Sequence, residues 1–241
     1  MIEIKNLSVS INGKILLKDI NLSIPTGENH ILFGPNGSGK TSLLMTLMGF
    51  PQYKVVSGSI MFNGKNITNL NIDERARLGI GIVYQNPPSV KGLLLSTFVS
   101  KLEEKYGTKL YSYVEKLDMT NLINRELNIN FSGGEKKKSE ILQILTQNPD
   151  FIMFDEPEAG IDVENMNIIG KIVKDFLDRE KIKNRRKSSL IITHIGYILD
   201  YLSADKGYIL INGKVVCEGN PYRIFKLIKE RGFKECELCK I

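Results

Sequence analysis

Cysteine is scarce in this chain: Cys217, Cys236 and Cys239 are the only three in 241 residues. Three thiols cannot build the disulfide framework of a small secreted domain, and they suit a reducing compartment. Long hydrophobic runs are missing too. No stretch reaches the ~18 apolar residues needed to cross a bilayer, so no membrane insertion is expected. The N-terminus, Met1 to Leu7, alternates like a strand and lacks the apolar core of a signal peptide. A cytoplasmic protein is expected from these absences. Repeats and low-complexity tracts are also lacking. The net charge is +6, but the lysines are dispersed. The one dense basic run, Lys181 to Lys187, has no interleaved aromatic residue to stack on a base. It reads as a solvated loop, and no nucleic-acid partner is expected. With 42% hydrophobic and 25% charged residues, the composition is that of an ordinary globular protein.

Glycine, by contrast, is concentrated where it can do chemistry. Gly34-Pro35-Asn36-Gly37-Ser38-Gly39-Lys40-Thr41 meets every fixed position of the phosphate-binding pattern G-x-x-x-x-G-K-[ST]. The apolar run Ile31 to Phe33 leads into it, and an apolar-periodic stretch from Ser42 to Phe50 follows. That is the strand–loop–helix setting the pattern requires. The glycines let backbone N–H groups turn inward around an anion, and the helix adds its positive end. Lys40 can reach outer phosphates, and the Thr41 hydroxyl can ligate Mg²⁺.

Three Asn-Gly-Lys triplets, at 12–14, 63–65 and 212–214, are each flanked by strand-like residues. Asn-Gly tolerates positive φ at both central turn positions, so each predicts a two-residue hairpin and an antiparallel sheet. Phe151 to Phe154 and Leu190 to Thr193 are instead continuously apolar, as parallel strands covered on both faces are. From Gln85 to Asn148 the pattern is mostly helical, with segments at Thr97 to Tyr106, Leu110 to Leu117 and Ser132 to Gln147. The last opens with a capping box, Ser132 and Glu135. The fold class is therefore α/β: a parallel core, an antiparallel portion and an inserted helical lobe. One domain is expected, with its core at 1–84 and 150–241 and the lobe at 85–149.

Several polar residues stand at the ends of these strands. Asp155-Glu156 follows Phe151 to Phe154, where parallel sheets bind ligands. Asp155 can support Mg²⁺, and Glu156 can orient and deprotonate a water attacking a γ-phosphate. His194 closes the next strand and could bond the same phosphate, while His30 reads as structural. Gln85 ends the strand Ile80 to Tyr84, and its amide could complete a Mg²⁺ shell or position water. Ser132-Gly133-Gly134 opens a helix with a hydroxyl, bare N–H groups and a dipole end, which is a second anion site. Two phosphate sites on separate lobes are reconciled by a dimer in which this segment faces the partner's nucleotide.

The order Gly34–Thr41, Gln85, Ser132-Gly133-Gly134, Asp155-Glu156, Ala159-Gly160-Ile161-Asp162 and His194 resembles the motif set of ATP-binding-cassette (ABC) ATPases along essentially the whole chain. The resemblance implies a RecA-like P-loop core, ATP and Mg²⁺ as ligands, and a head-to-tail homodimer that closes on two ATP molecules. It gives Glu156 the role of catalytic base, His194 that of switch histidine, and places Asp162 in the loop that crosses the dimer interface. The place where most cassettes stack an aromatic on adenine is taken here by Ile11.

The block Phe131-Ser132-Gly133-Gly134-Glu135-Lys136-Lys137-Lys138 is similar to the signature of SufC, the cassette branch that serves iron–sulfur cluster assembly. So are Tyr53 to Gly58 and Ile198 to Tyr201. That likeness implies a SufB-like or SufB/SufD-like scaffold as partner; the alternative is the ATP-binding subunit of an ABC membrane transporter. The segment Pro87 to Leu95 has two readings. Leu93 to Leu95 starts the lobe's own core, or Pro88, Val90 and Gly92 form an exposed ledge for a partner. Cys236-Glu237-Leu238-Cys239 reads as part of a mobile tail, with a shared metal as the other reading.

Overall fold

Each Asn-Gly pair closes a hairpin with both residues at positive φ: Asn12 +47° and Gly13 +77°, Asn63 +48° and Gly64 +79°, Asn212 +49° and Gly213 +75°. The two-residue turn these sequences predict is therefore present three times. A computed structural model describes residues 1–109, 111–177, 186–194 and 196–236.

The elements run β1 (Ile2–Ile11), β2 (Lys14–Ile24), β3 (Asn29–Phe33), α1 (Lys40–Met48), β4 (Lys54–Phe62), β5 (Lys65–Asn66), α2 (Ile72–Arg77) and β6 (Ile80–Val83). The lobe follows as α3 (Leu95–Tyr106), α4 (Tyr111–Lys116) and α5 (Gly133–Gln147). Then come β7 (Phe151–Asp155), α6 (Val163–Leu177), β8 (Ser188–Thr193), a short 3₁₀ turn at Tyr197–Asp200, β9 (Lys206–Ile211), β10 (Lys214–Gly219) and α7 (Pro221–Cys236). One antiparallel sheet has the order β2-β1-β4-β5. The other has the order β10-β9-β3-β8-β7-β6 and is parallel from β9 to β6, with β10 added as an antiparallel edge.

Every residue of β3, β7 and β8 is buried, as their apolar runs require of strands covered on both faces. Alternation then splits each strand between two cores. Leu32, Met153 and Leu190 face α1 and the antiparallel sheet, packing with Leu43, Leu44, Leu47 and Ile60. Ile31, Phe33, Ile152, Phe154 and Ile191 face the other way, toward α5, α6 and the rest of the lobe.

Helix α5 begins as its sequence dictates. Ser132 Oγ accepts from Glu135 N at 3.2 Å, and Glu135 Oε2 accepts from Ser132 N at 2.7 Å. Helix α3 starts at Leu95, two residues before the predicted Thr97. Leu95 is fully buried, while Leu94 is 42% exposed and Val90, further ahead of the helix, is 38% exposed. The segment thus gives Leu95 to the lobe core, packs half-buried Leu93 against it, and leaves Leu94 and Val90 at the surface. Leu110 and Lys181 to Arg185 fall outside the described residues, as do Glu237 to Cys239, so the Cys-x-x-Cys reading has no structural counterpart here. Lys187, at the end of the basic run, donates to Pro149 O at 2.7 Å. Among the described residues no helix is long and apolar enough to cross a membrane. No group of three or more His, Cys, Asp or Glu residues that could hold a metal is found among them either.

Candidate functional site

The parallel register brings the C-terminal ends of β3, β6, β7 and β8 to one edge of the sheet. The phosphate-type loop leaves β3 there, Tyr84-Gln85 leaves β6, Asp155-Glu156 ends β7 and His194 follows β8. A cleft of about 590 Å³ opens at this edge, lined by Asn36 to Ser42, Gln85, Glu156, His194, Asn212, Gly213 and residues of β2.

Within the loop, Gly37 and Gly39 take φ of +78° and +106°, which a side chain would strain. Gly34 is needed for space instead: a Cβ there would lie 2.3 Å from Leu210 O and 2.7 Å from Ser38 Oγ. Lys40 Nζ donates to Gly34 O at 2.9 Å and to Pro35 O at 3.1 Å, so the lysine spans its own loop. Burial lowers the Lys40 ammonium pKa, and the Glu156 and Asp155 charges oppose that shift. Ser38 Oγ is buried without a hydrogen-bond partner. A hydroxyl with no partner, an ammonium held only by carbonyls, and a helix N-terminus beside them form a donor set that fits a polyphosphate.

The metal-type residues also meet. Thr41 Oγ1 donates to Asp155 Oδ1 at 3.2 Å. Burial raises the Asp155 carboxyl pKa, and the Thr41 hydrogen bond works against that rise. A hydroxyl and a buried carboxylate side by side, with the Gln85 amide nearby, fit a hard divalent cation.

Glu156 is the centre of the arrangement. Its backbone is left-handed, φ +48°, which costs a non-glycine residue on the order of 1–3 kcal/mol and recurs at functional sites. Gln85 Nε2 donates to its Oε2 at 2.9 Å. His194 Nδ1 lies 3.0 Å from its Oε1, a close polar contact that is not aligned as a hydrogen bond. Gln85, Glu156 and His194, each chosen from a different strand end, are thus brought together against Lys40 and Thr41.

Ser132, Gly133, Gly134 and Asp162 are not. None of the four lines the cleft. They form a second cluster: a Cβ on Gly133 would lie 2.7 Å from Gly160 O, and one on Gly134 would lie 2.6 Å from Asn165 Nδ2. Asp162 caps α6, accepting from Asn165 N at 2.8 Å and Asn165 Nδ2 at 2.6 Å, bonds that lower its pKa.

Some neighbours of the site were not singled out in the sequence. Lys14, Ile15, Leu16 and Lys18 of β2 wall the cleft, whereas Ile11 is not among its lining residues and pairs with Lys14 across the first hairpin. Thr193 Oγ1 donates to Glu158 Oε1, and Gly196 N donates to Thr193 Oγ1 at 2.7 Å, next to His194. Ile15, an apolar residue just past the Asn12-Gly13-Lys14 turn signal, was a usable sequence cue; Glu158 gave none. His30 is buried as expected of a structural residue, with Nε2 2.7 Å from Glu28 Oε2 and its other nitrogen 3.3 Å from the Tyr208 hydroxyl.

Comparison with known proteins agrees with this geometry. The sequence model of the ABC transporter family matches residues 17–159. A probable ABC transporter ATP-binding protein of Streptococcus pyogenes is 35% identical, the match covering 95% of this chain and 93% of that protein. The probable ATP-dependent transporter ycf16 of Cyanidium caldarium is 34% identical, over 97% of this chain and 95% of the other. Among solved structures, a nucleotide-free ATP-binding cassette from an ABC transporter superposes with a TM-score of 0.80 at 24% identity, covering 100% of this chain and 99% of the other. A dimeric ATP-binding cassette bound to ADP and Pi gives a TM-score of 0.76 at 23% identity, over 91% and 98%.

Proposed function

The chain belongs to the ABC transporter family of ATP-binding, ATP-hydrolysing P-loop proteins, and on that premise we propose how its residues divide the work and what the work serves. Gly34, Pro35, Asn36, Gly37, Ser38 and Gly39 wrap the triphosphate with backbone N–H groups, and Lys40 turns from its loop carbonyls to the outer phosphates. Thr41 and Asp155, with the Gln85 amide, hold Mg²⁺, which when bound neutralises charge on the phosphate oxygens. A Glu156 carboxylate oxygen takes the proton of the water that attacks the γ-phosphorus, as the bond to the ADP oxygen breaks. Gln85 and His194 fix the direction of that carboxylate, and His194 bonds the γ-phosphate. The observation that carries this assignment is the convergence of Gln85 and His194 on the two oxygens of Glu156, beside Lys40.

The second cluster supports a head-to-tail homodimer. Ser132, Gly133 and Gly134 present a capped helix N-terminus away from the chain's own cleft, and Asp162 stands beside it. In the dimer they complete the partner's nucleotide site. The helical insertion, 85–149, acts as the unit that meets a further protein, and 1–84 with 150–241 as the nucleotide-binding core.

Two partner readings have separate support. The names carried by the relatives and structural neighbours favour the ATP-binding subunit of a membrane transporter, docked on the cytoplasmic side of a permease. The block Phe131 to Lys138 favours the second, an ATPase that drives iron–sulfur cluster assembly on a SufB-like scaffold. Purification of the tagged chain from its native cells, with identification of the co-purifying proteins, separates them. A multi-span membrane protein supports the first and overturns the second; a soluble scaffold does the reverse.

A further inference from the structure

Lys137 and Glu140 lie nearly one turn apart on α5, with side chains 2% and 7% exposed and 3.1 Å between Nζ and Oε2. Both also hold the backbone of one distant residue. Glu140 Oε1 accepts from Tyr84 N at 2.5 Å, and Lys137 Nζ donates to Tyr84 O. Tyr84 follows β6, the outermost strand of its sheet, so its peptide groups need partners from elsewhere. The ion pair supplies both. Burying two charges is a poor way to gain stability, since apolar residues of similar volume generally do as well. What the pair adds is direction: it ties one peptide unit to one helix through a charged donor and a charged acceptor.

The two ends of this tie both belong to the nucleotide machinery. Helix α5 starts at Gly133, with Ser132 as its N-cap, and Lys137 lies four residues beyond Gly133, in the second turn of the helix. Tyr84 directly precedes Gln85, whose amide bonds Glu156 at 2.9 Å. We propose that Lys137 and Glu140 are positioning residues that lock Gln85 to the Ser132–Gly134 helix, so that the seating of that helix sets the placement of the Gln85 amide against Glu156. Neither residue lines the cleft. The pair therefore governs turnover and not nucleotide affinity. The inference rests on the roles given above to Gln85 and to the Ser132–Gly134 helix end.

Steady-state ATPase assays on Lys137→Met/Glu140→Leu test it. The double variant removes both charges together, which leaves no unpaired ion in the core. Expected is a fall in kcat on the order of 10- to 100-fold, the scale of a small misplacement of reacting groups, with KM for MgATP changed by no more than about 3-fold. Glu140→Gln, which keeps an oxygen facing the Tyr84 N–H, loses much less. A folded double variant with wild-type kcat overturns the proposal, and so does one whose loss is entirely in KM.

Hydrogen exchange on the wild-type chain gives a second measurement that does not depend on the variant folding. Adding MgATPγS is expected to change the protection of the Tyr84–Gln85 amides in step with that of the first turns of α5. Protection that changes in α5 but not at Tyr84 and Gln85 overturns the coupling. An ATPγS-bound wild type that shows no change at Ser132–Gly134 overturns instead the role given to that helix end, which keeps the two failures distinct.

Discussion

Gln85 and Glu156 are 71 positions apart, yet the amide nitrogen of one lies 2.9 Å from the carboxylate of the other. The contact joins the end of β6 to the end of β7, neighbouring parallel strands. The Gln85 NH₂ group holds the Glu156 carboxylate, and both residues line the cleft. With His194 near the second oxygen, both sides of the carboxylate are constrained by groups from different strands. Such constraint suits the general-base role proposed for Glu156, because a base loses efficiency quickly when it can rotate away from the water it serves.

Replacing Glu156 with Gln keeps the shape of the site and removes its proton acceptor. The expected result is ATP binding near wild type with kcat lower by about 10²–10⁴-fold. The trapped ATP should hold two subunits together, so that the variant with MgATP elutes from a sizing column as a dimer. Wild type without nucleotide should elute mainly as a monomer. Equal elution under both conditions would count against the sandwich.

Lys40→Ala is expected to abolish nucleotide binding while sparing the fold, since it removes the cation that the loop N–H groups cannot replace. Ser132→Arg should leave binding intact and block closure by placing a bulky cation where the partner's γ-phosphate must sit. Neither variant should hydrolyse ATP alone. Mixed, they can form one composite site from two intact halves. ATPase activity of the mixture above the sum of the separate proteins is the expected readout, and its absence would remove the trans arrangement.

Glu158 gives a pH-dependent prediction. It is buried, Oε1 accepts from Thr193, and Oε2 has no hydrogen-bond partner. Burial raises its pKa above the ordinary 4.5, and the Thr193 hydrogen bond only partly offsets the rise. Between 4.5 and the raised value the native state holds the proton more often than the unfolded chain does. Stability from this group is therefore complete below 4.5 and is lost as pH climbs through the raised value. Glu158→Gln cannot ionise and should escape that loss. Denaturant titrations at several pH values should find the variant more stable than wild type at neutral pH, with the advantage vanishing toward pH 4. A difference that does not vary with pH would mean that Glu158 is ionised at no cost.

The hairpins, the buried parallel strands and the capped start of α5 were legible in the sequence because each follows from a few adjacent residues: Asn-Gly, an apolar run, Ser and Glu three apart. The convergence of Gln85, Glu156 and His194 was legible only through strand ends, since parallel strands put their C-termini on one edge. Where the partner lies far along the chain, the sequence was silent. Lys137 entered only as part of the block Phe131 to Lys138, and nothing in the sequence singled out Glu140; both bond the Tyr84 backbone, 53 and 56 positions away. Ile11, which the family resemblance puts where most cassettes stack an aromatic on adenine, does not line the cleft. The turn at Asn12-Gly13 instead carries the chain round to present Ile15 and Leu16 to the cleft.

Arg75 is the largest of the fully buried side chains, and no pattern in the sequence sets it apart from the exposed Arg77 two residues later. Its guanidinium donates to four carbonyls: Leu70 O at 2.8 Å, Thr46 O at 2.7 Å, Leu47 O at 3.0 Å and Thr68 O at 2.9 Å. Thr46 and Leu47 belong to the last turn of α1, where helix carbonyls run out of i+4 partners and Thr46 O otherwise accepts from the capping Gly49 N–H at 3.1 Å. Arg75 therefore closes the rear of the helix whose front carries Lys40 and Thr41, and its positive charge suits the negative end of the helix dipole. Burial lowers its pKa to about 10, so it stays charged at neutral pH. Arg75→Met keeps much of the volume but leaves several buried carbonyls unpaired, at a cost of about 3 kcal/mol. For a chain of this size that corresponds to a drop in Tm of roughly 6–12 °C. Arg75→Lys keeps the charge but has three donors on a single nitrogen and no planar fork, so it should recover only part of the loss. Thermal melts followed by circular dichroism decide it. A Met variant that melts within a degree of wild type would mean that water replaces the guanidinium behind α1, and that the helix bearing Lys40 does not depend on Arg75.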